Sequence, residues 1–421
     1  MEVYLDNAAT TKTDPEVLDA MLPYLTEEYG NASSSYALGR RAREAVDKAR
    51  EQIASLINAS PEEIYFTSGA TESNNWILSK AYKCVMSEIE HPSVMRAFDT
   101  PTGKKQKNGF VTVLGVFQSG MVSTEAYEEA AAAIANDYRP MVTLMYANNE
   151  IGVLEPIKRV SSIAWDLGVP FHTDATQALG HVPIDVEDLD ICYLSASAHK
   201  IYGPKGVGML YARINYEPPA FMRGGHQESG LRAGTENVAG IVGFGKAAEL
   251  AKQRMAEDAA RETELRDYFI GAVFDEIPCA NLNGHPEKRL PNNISFTFEG
   301  VDGSALLAML EQDGIYASSG SACTTGSREP SHVLTAIGHT YEEAKSTIRF
   351  SLGRETTMAQ IDYTLTKLRE SVQYLRELNR GDSNEEATRN KGRTEDHRYA
   401  QRKQPDRNSE MGTPEAQMVY R

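Results

Sequence analysis

A lysine, a carboxylate, side-chain amides and a turn of small residues each follow a short apolar stretch of this sequence. The lysine is Lys200, in SASAHK at the end of the apolar stretch 191–197. A lysine at a strand end flanked by glycine turns can be partly desolvated, which lowers its pKa and makes its amine a nucleophile for carbonyl carbons. Lys205 is better explained as a surface lysine, because no apolar strand leads directly into it.

The carboxylate is Asp174, in HTDATQ, and Gln177 follows it by three residues. A carboxylate buried at a strand end needs a cationic partner, and a pyridinium nitrogen would serve. The alternative is a capped turn in which Asp174 binds only backbone groups. Asn149, in ANNEIG after the apolar stretch 141–147, adds a side-chain amide.

The turn of small residues is SGAT, which contains Ala70 and Thr71 and opens a helical pattern. Small residues let backbone N–H groups approach an anion, and a helix N-terminus favours negative charge. A plain helix cap is the alternative. Taken together, a phosphate cradle, a carboxylate, amides and a lysine match the needs of pyridoxal 5′-phosphate.

One cysteine differs from the others in its surroundings. Cys323 lies in SSGSACTTGS, a loop rich in Ser, Gly and Thr, where a thiol ionises more readily than in a core. An incidental surface thiol is the alternative. Cys84, Cys192 and Cys279 are expected to be packing residues. No pair has zinc-site spacing, so no metal site is predicted, and four cysteines in 421 residues indicate a reducing compartment.

Short apolar stretches alternate with helical patterns over the first two thirds of the chain. Strands are expected at 64–68, 141–147, 170–174 and 191–197, and helices at 38–57, 156–167 and 236–277. This alternation predicts an α/β fold with a mostly parallel sheet, whose ligands bind beyond the carboxyl ends of the strands. The patterns at 292–299, 304–311, 347–352 and 358–378 predict a smaller α+β domain.

The chain has 421 residues and a net charge of −16, which predicts two to three domains and argues against nucleic acid or an anionic membrane as the main partner. The N-terminal sequence MEVYLDNAATT does not resemble a signal peptide, and no run of ~20 apolar residues follows. A soluble cytoplasmic protein is therefore expected. Residues 381–421 contain one branched aliphatic residue, Val419, and are predicted to be disordered.

Seven motifs in order resemble those of the NifS/IscS-like cysteine desulfurases, enzymes of the class V aminotransferase group that use pyridoxal phosphate. The resemblance extends from LDNAATT to the predicted helix near residue 378. Its motifs are TSGATES, NNEIG, DATQ, SAHKIYGPKG, RAGTEN, SSGSACTTGSREPSHVL and IRFSLGR. It implies fold type I, with an N-terminal segment 1–13 that packs with the small domain, a large domain 14–257, a small domain 258–380 and the tail 381–421.

The resemblance also implies roles for single residues. It implies catalytic roles for Cys323, Lys200 and His91, and substrate binding by Arg349 and Asn149. It implies that the cofactor is held by Ala70, Thr71, Asn149, Asp174, Gln177, Ser197, His199, Lys200 and Thr235. By this resemblance Lys200 is the Schiff-base lysine, and His91 stacks on the ring and shuttles protons. Arg349 binds the substrate carboxylate. Thr235 reaches in from a neighbouring subunit, which implies a homodimer.

The implied activity is conversion of L-cysteine to L-alanine, with the sulfur carried as a persulfide on Cys323 to an acceptor protein such as an iron–sulfur scaffold, or to a tRNA-thiolation protein. A selenocysteine lyase or another class V enzyme is the alternative among enzymes. A transaminase is disfavoured because it needs no nucleophilic thiol. A non-catalytic scaffold that binds sulfur acceptors is the alternative outside enzymes, and intact Lys200 and Cys323 argue against it.

Overall fold

The computed structural model describes residues 1–99, 110–319 and 330–401. Among these residues the strands are β1 (Val3–Tyr4), β2 (Ile64–Thr67), β3 (Lys83–Ser87), β4 (Phe110–Leu114), β5 (Pro140–Thr143), β6 (Phe171–Asp174), β7 (Tyr193–Ser197), β8 (Gly208–Ala212), β9 (Ala280–Leu282), β10 (Asn293–Phe298), β11 (Ile315–Tyr316) and β12 (Thr347–Ser351). The helices are α1 (Pro15–Met21), α2 (Pro23–Thr26), α3 (Ala37–Ile57), α4 (Ala70–Leu78), α5 (Pro92–Met95), α6 (Thr124–Ile134), α7 (Ile157–Asp166), α8 (Val238–Glu276), α9 (Gly303–Gln312), α10 (His332–Ala336), α11 (Tyr341–Lys345) and α12 (Met358–Gln401).

A seven-stranded mixed sheet forms the larger core, in the order β2-β8-β7-β6-β5-β3-β4. The pairs from β7 through β6, β5 and β3 to β4 are parallel, and β8 is antiparallel to both β7 and β2. Every side chain of β2, β6, β7 and β8 is buried, and so is every side chain of β3 and β5 except the first, as expected for a sheet covered by helices on both faces. The described side chains of the edge strand β4 are partly or fully exposed. The mostly parallel α/β fold predicted from the sequence is confirmed.

The longest helix of the first 372 residues, α8, packs closely against α3. A Cβ added at Gly245 would lie 2.6 Å from the Cα of Ala49, so glycine is what permits this approach. The N-terminal part of α8 is rich in buried alanine and glycine. The domain boundary predicted at residue 257 falls inside this continuous helix, and the division of the chain at that point stays a prediction.

Two smaller sheets follow in the sequence. The strands β12, β10 and β9 form an antiparallel sheet, with Ser295 of β10 opposite Arg349 of β12. The N-terminal strand β1 pairs in parallel with β11 through Val3 and Ile315. The N-terminal segment is therefore held beside the strands that follow α9.

The chain forms two compact units, residues 1–372 and 373–421. Helix α12 continues to Gln401, so residues 381–401 are helical although the sequence predicts disorder from residue 381. Low hydrophobicity limits the apolar area that this stretch can bury, and disorder was predicted for that reason. The Glu, Ala, Arg and Lys residues of the stretch nevertheless have high helix propensity, so they can form a helix. Within the described parts of the chain, no helix combines the length and apolarity needed to cross a membrane.

Candidate active site

Five segments that carry predicted site residues leave the same edge of the large sheet. The strands β3, β5, β6 and β7 run in parallel, and β2 runs in the same direction as β7 because both are antiparallel to β8. Their carboxyl ends therefore meet at one edge. Asp174 is the last residue of β6, and the predicted site residues Ala70, His91, Asn149 and Lys200 follow the other four ends.

Asp174 ends β6 and is 5% exposed. Its Oδ2 accepts a hydrogen bond of 2.7 Å from Nδ2 of Asn74, and its Oδ1 accepts one of 3.0 Å from the backbone N–H of Thr176. The Thr176 bond is the turn cap that sequence reasoning weighed as the alternative for Asp174. The Asn74 bond comes from a different element, α4, and holds the carboxylate toward the edge of the sheet where the other predicted site residues lie.

Lys200 ends a short 3-10 turn, Ala198–Lys200, directly after β7. Its Nζ donates to the carbonyl oxygens of Ala8 at 2.5 Å and Ala9 at 2.7 Å. Nε2 of Gln177 donates to the same Ala8 carbonyl at 3.0 Å. The N-terminal motif LDNAATT thus contacts both the lysine and the amide that the sequence places in the site.

The start of α4 forms a corner suited to a phosphate. The backbone N–H of Ala70 donates to Oγ of Ser197 at 2.8 Å, which joins the end of β7 to this helix. Gly69 has φ 156°, and a Cβ added at Gly208 would lie 2.5 Å from the Cα of Gly69. Glycines therefore allow the turn to lie against β8, and Thr71 in the first turn of the helix is exposed.

His199 lies between this corner and the N-terminal segment. Its Nδ1 lies 3.2 Å from Oγ1 of Thr10. Burial, together with the nearby Lys200 and Lys205, lowers the pKa of His199 to about 4. At neutral pH the imidazole is uncharged, so it would meet a phosphate as a neutral hydrogen-bonding group.

His91 follows β3 and is the N-cap of α5. Its Nδ1 lies 2.7 Å from Oγ of Ser93 and accepts from the backbone N–H of Ser93 at 3.2 Å. Burial lowers the pKa of His91, Asp174 raises it, and Lys200 and His332 lower it. The effects of Asp174 and Lys200 on this pKa mean that the imidazole lies near both of these predicted site residues.

Arg349 in β12 is 1% exposed. Its Nη1 donates to the carbonyl oxygen of Asn149 at 2.9 Å, and its Nη2 donates to Oδ1 of Asp6 at 2.7 Å. Its Nε is buried without a hydrogen-bond partner among the described residues. A guanidinium that is fixed on one side and has a free donor is suited to a carboxylate.

The residues that flank the Cys323 loop contact this region. Ser318 exchanges both backbone hydrogen bonds with Arg349, at 2.7 Å and 3.1 Å. On the other flank, Oγ of Ser331 donates to Oε2 of Glu150 at 2.5 Å. Burial raises the pKa of Glu150 to about 7, although Ser331 and Arg349 lower it. Cys323 itself lies outside the described residues.

Thr235 stands apart from the other predicted residues. It is exposed, and no hydrogen bond or ion pair among the described residues joins it to them. Its motif is nevertheless tied to the phosphate corner, since Nε and Nη2 of Arg232 donate to the two carboxylate oxygens of Glu72 in α4 at 2.8 Å and 3.1 Å.

Sequence reasoning missed three polar residues of this site. Asn74 and Ser93 bind Asp174 and His91, and Asp6 binds Arg349. Asp6 lies inside the motif LDNAATT and Asn74 directly follows the motif TSGATES, so their positions were a signal. Their partners lie far away in sequence, and only the fold shows the contacts.

The residues present fit pyridoxal phosphate. The buried Asp174 suits a pyridinium nitrogen, and the turn at Gly69, which a Cβ at Gly208 would block, leaves room for a phosphate beside the first N–H groups of α4. The unpartnered Nε of Arg349 suits a substrate carboxylate. Lys200 completes the set at the adjacent strand end.

Known proteins of the same fold resemble this chain over most of its length. The aminotransferase class-V family model matches residues 3–364. A cysteine desulfurase IscS of Dictyoglomus turgidum is 46% identical over 386 residues, which are 90% of this chain and 96% of the relative. A solved NifS-like protein has a TM-score of 0.81 at 35% identity and covers 89% of this chain and 100% of its own. A structure titled SspA in complex with cysteine has a TM-score of 0.70 at 35% identity and covers 83% of this chain and 98% of its own.

The fold and the site define an enzyme of fold type I that depends on pyridoxal phosphate. Within that class the relatives narrow the assignment further. The chain belongs to the cysteine desulfurases of the class-V aminotransferase family. The family, fold type and cofactor expected from the seven motifs are thereby confirmed.

Proposed function

We propose that this protein converts L-cysteine to L-alanine and keeps the sulfur as a persulfide on Cys323 for transfer to an acceptor protein. The pairing of Ser318 with Arg349 carries the proposal, because it ties the segment before Cys323 to the arginine that would bind the substrate. The family and the solved relative titled in complex with cysteine support the same substrate.

Arg349 and Asn149 bind the substrate. Arg349 is held by the Asn149 carbonyl and by Asp6, so its orientation is fixed before a carboxylate arrives. A second anion beside a nearly buried guanidinium forms charge-assisted hydrogen bonds that water screens weakly. The half-buried side-chain amide of Asn149 lies next to the carbonyl that Arg349 holds, and it adds a polar group beside the substrate.

The cofactor would be held by groups from four strand ends, those of β2, β5, β6 and β7. Asp174 would bind the ring nitrogen, Gln177 and Asn149 would lie near the ring hydroxyl, and the partner's Thr235 would complete the phosphate site. The same chain contributes to the phosphate site the residues Ala70, Thr71, Ser197 and His199. Pyridoxal phosphate, when bound, supplies an electron sink that weakens the bonds at the substrate Cα and Cβ.

Lys200 would hold the cofactor before substrate arrives, and its amine would then move the proton of the substrate Cα. The carbonyl oxygens of Ala8 and Ala9 hold its amine in place, so the displaced side chain keeps a defined position. His91 is partly buried, lies close enough to Asp174 for that carboxylate to raise its pKa, and would stack on the cofactor ring. Because the imidazole of His91 is uncharged, the flat ring of the cofactor can pack against it without burying a charged imidazolium.

Cys323 supplies the nucleophile. Its thiolate attacks the substrate sulfur, an S–S bond forms, and the Cβ–S bond of the substrate breaks. The carbon skeleton gains one proton at Cβ and leaves as alanine. One thiol and one molecule of cysteine thus give one persulfide and one molecule of alanine, so no external oxidant is needed.

We propose a cytoplasmic homodimer without nucleic acid or membrane partners, and an acceptor such as an iron–sulfur scaffold. Leu18, Leu22 and Leu25 support a partner-facing surface, because they are 46–61% exposed and lie on one face of the helical stretch formed by α1 and α2. The exposed Thr235 supports a site shared between subunits. The acidic net charge of −16 supports a protein partner.

The activity is tested with purified, cofactor-loaded protein and L-cysteine, by measuring alanine and, with a reductant, sulfide. We expect both products in equal amounts. The Cys323→Ser variant should keep the cofactor and lose both products, whereas Cys279→Ser, which changes the exposed cysteine of the described part of the chain, should retain them. Equal alanine and sulfide from Cys323→Ser would refute the persulfide route.

A further inference from the structure

An unbroken chain of hydrogen bonds joins His91 to Asp174 through two buried residues. Nδ1 of His91 lies 2.7 Å from Oγ of Ser93, and Nδ2 of Asn74 donates to that Oγ at 2.8 Å. The same Nδ2 donates to Oδ2 of Asp174 at 2.7 Å. Asn74 is fully buried and Ser93 is 8% exposed, so water does not compete strongly for these bonds.

The donors in this chain can be assigned from chemistry alone. The amide oxygen of Asn74 cannot face a carboxylate, so its NH2 group must point to Asp174 and Ser93. That group has two hydrogens, one for each partner. Oγ of Ser93 therefore accepts from Asn74, and the hydroxyl hydrogen of Ser93 is left to donate to Nδ1 of His91.

A second donor points at the same ring nitrogen. His91 is the N-cap of α5, and Pro92 at the next position has no N–H. The first available backbone donor is the N–H of Ser93, which lies 3.2 Å from Nδ1. With two hydrogens directed at it, Nδ1 holds its lone pair, and the single proton of the neutral ring lies on Nε2.

We propose that Asn74 and Ser93 are positioning residues that hold His91 as the neutral tautomer protonated on Nε2. This inference rests on the proposed role of His91 at the cofactor. The ring then presents a hydrogen at Nε2 and cannot accept a proton there, so the group that takes the proton of the substrate Cα is Lys200.

The groups that face His91 are consistent with a neutral ring. Asp174 favours the imidazolium, while Lys200 and His332 oppose it. His332 is on α10, and its Nε2 lies 3.0 Å from the carbonyl oxygen of Glu90, to which it donates. Burial outweighs the attraction of Asp174, and the pKa of His91 is lowered. A proton on Nδ1 would also face the N–H of Ser93.

The tautomer can be read directly by ¹⁵N NMR of cofactor-loaded protein made with ring-labelled histidine. The chain has nine histidines, and the His91→Gln variant identifies the His91 signals. We expect an unprotonated Nδ1 and a protonated Nε2 at neutral pH. A protonated Nδ1, in either the neutral or the charged ring, would overturn the proposal.

Two variants test which residues hold the tautomer. In Ser93→Ala the hydroxyl donor is lost, and the pKa of His91 should rise by about 0.5–1 unit. In Asn74→Asp the new carboxylate would accept the Ser93 hydroxyl, so Oγ would offer a lone pair to Nδ1, and the rise should be larger. Ser93→Thr keeps the hydroxyl and should restore the original pKa.

The remaining histidines report whether a variant is folded, because a general structural change would move their signals too. If Asn74→Asp does not fold, the tautomer of the wild type and the His91 pKa in Ser93→Ala still test whether Ser93 holds His91 as the tautomer protonated on Nε2. An unchanged His91 pKa in folded Ser93→Ala would show that Ser93 does not hold the ring. The readout is independent of turnover, so an inactive enzyme with the expected tautomer would count against the proposed function alone.

Discussion

Nη2 of Arg349 donates to Oδ1 of Asp6 at 2.7 Å, although the two residues stand near opposite ends of the folded sequence. The Asp6→Asn change keeps an acceptor and removes its charge. We expect the KM for L-cysteine to rise about tenfold, with a smaller change in kcat, because a charge-assisted hydrogen bond that orients the guanidinium is weakened. Glu355→Gln, at the exposed ion pair with Lys12, is the control and should leave KM unchanged. An unaltered KM in Asp6→Asn would show that Asp6 does not orient Arg349.

The role of Lys200 is tested with Lys200→Ala. We expect no turnover and no visible absorbance from a covalently held cofactor, since the amine that carries it is gone. Lys205→Ala is the matched control, because Lys205 lies five residues later and is exposed. If turnover and absorbance persist in Lys200→Ala and vanish in Lys205→Ala, then Lys205 and not Lys200 carries the cofactor.

The shared site is tested with Thr235→Ala. If the partner's Thr235 binds the phosphate, removing its hydroxyl should weaken cofactor retention by roughly 1–3 kcal/mol, measured by titration of the apoprotein with pyridoxal phosphate. Thr366→Ala, at an exposed threonine of α12, should have no effect. The mass in solution should be that of two chains. A monomer with full cofactor occupancy would refute the shared site.

A buried carboxylate should make the stability of the fold depend on pH. Burial, opposed by the N–H of Val122 and assisted by the nearby Glu90, raises the pKa of Glu155 from 4.5 to about 8. The folded pKa exceeds the unfolded one, so the contribution of Glu155 is fully present below pH 4.5 and is lost as the pH rises toward 8.

Glu155→Gln should remove this dependence, since the amide oxygen can still accept from Val122. We expect the variant to match the wild type near pH 5 and to gain about 1–3 kcal/mol over it at pH 8.5, measured by denaturant unfolding. Glu129→Gln, on the exposed face of α6, should follow the wild type at both values. A Glu155→Gln variant less stable than wild type at pH 8.5 would show that the carboxylate is ionised in the folded protein.

Much of the fold follows from local patterns. The strands that lead to Asp174 and Lys200 are continuous buried stretches, and their polar ends mark the edge of the sheet where the predicted site lies. The order of the motifs was enough to identify the family, because each motif contains chemistry that a generic α/β protein does not need. The helix beyond residue 381 was missed, since low hydrophobicity does not exclude helix formation.

The contacts between distant segments could not be predicted. Nothing in LDNAATT indicates that the carbonyls of Ala8 and Ala9 bind Lys200, because backbone groups have no sequence signature. The direction of the hydrogen bonds from Asn74 to Ser93 likewise depends on the approach of α4 to α5, which side-chain types do not determine. Such contacts arise only when the strand ends are brought together.

The central claim is that sulfur from the substrate rests on Cys323, and mass spectrometry of this cysteine tests it most directly. Cofactor-loaded protein is mixed with L-cysteine without reductant, thiols are alkylated, and the peptides are analysed. We expect the Cys323 peptide to gain the mass of one sulfur atom, while peptides with Cys84, Cys192 and Cys279 do not. An added sulfur on one of those three and none on Cys323, with alanine formed, would contradict the account.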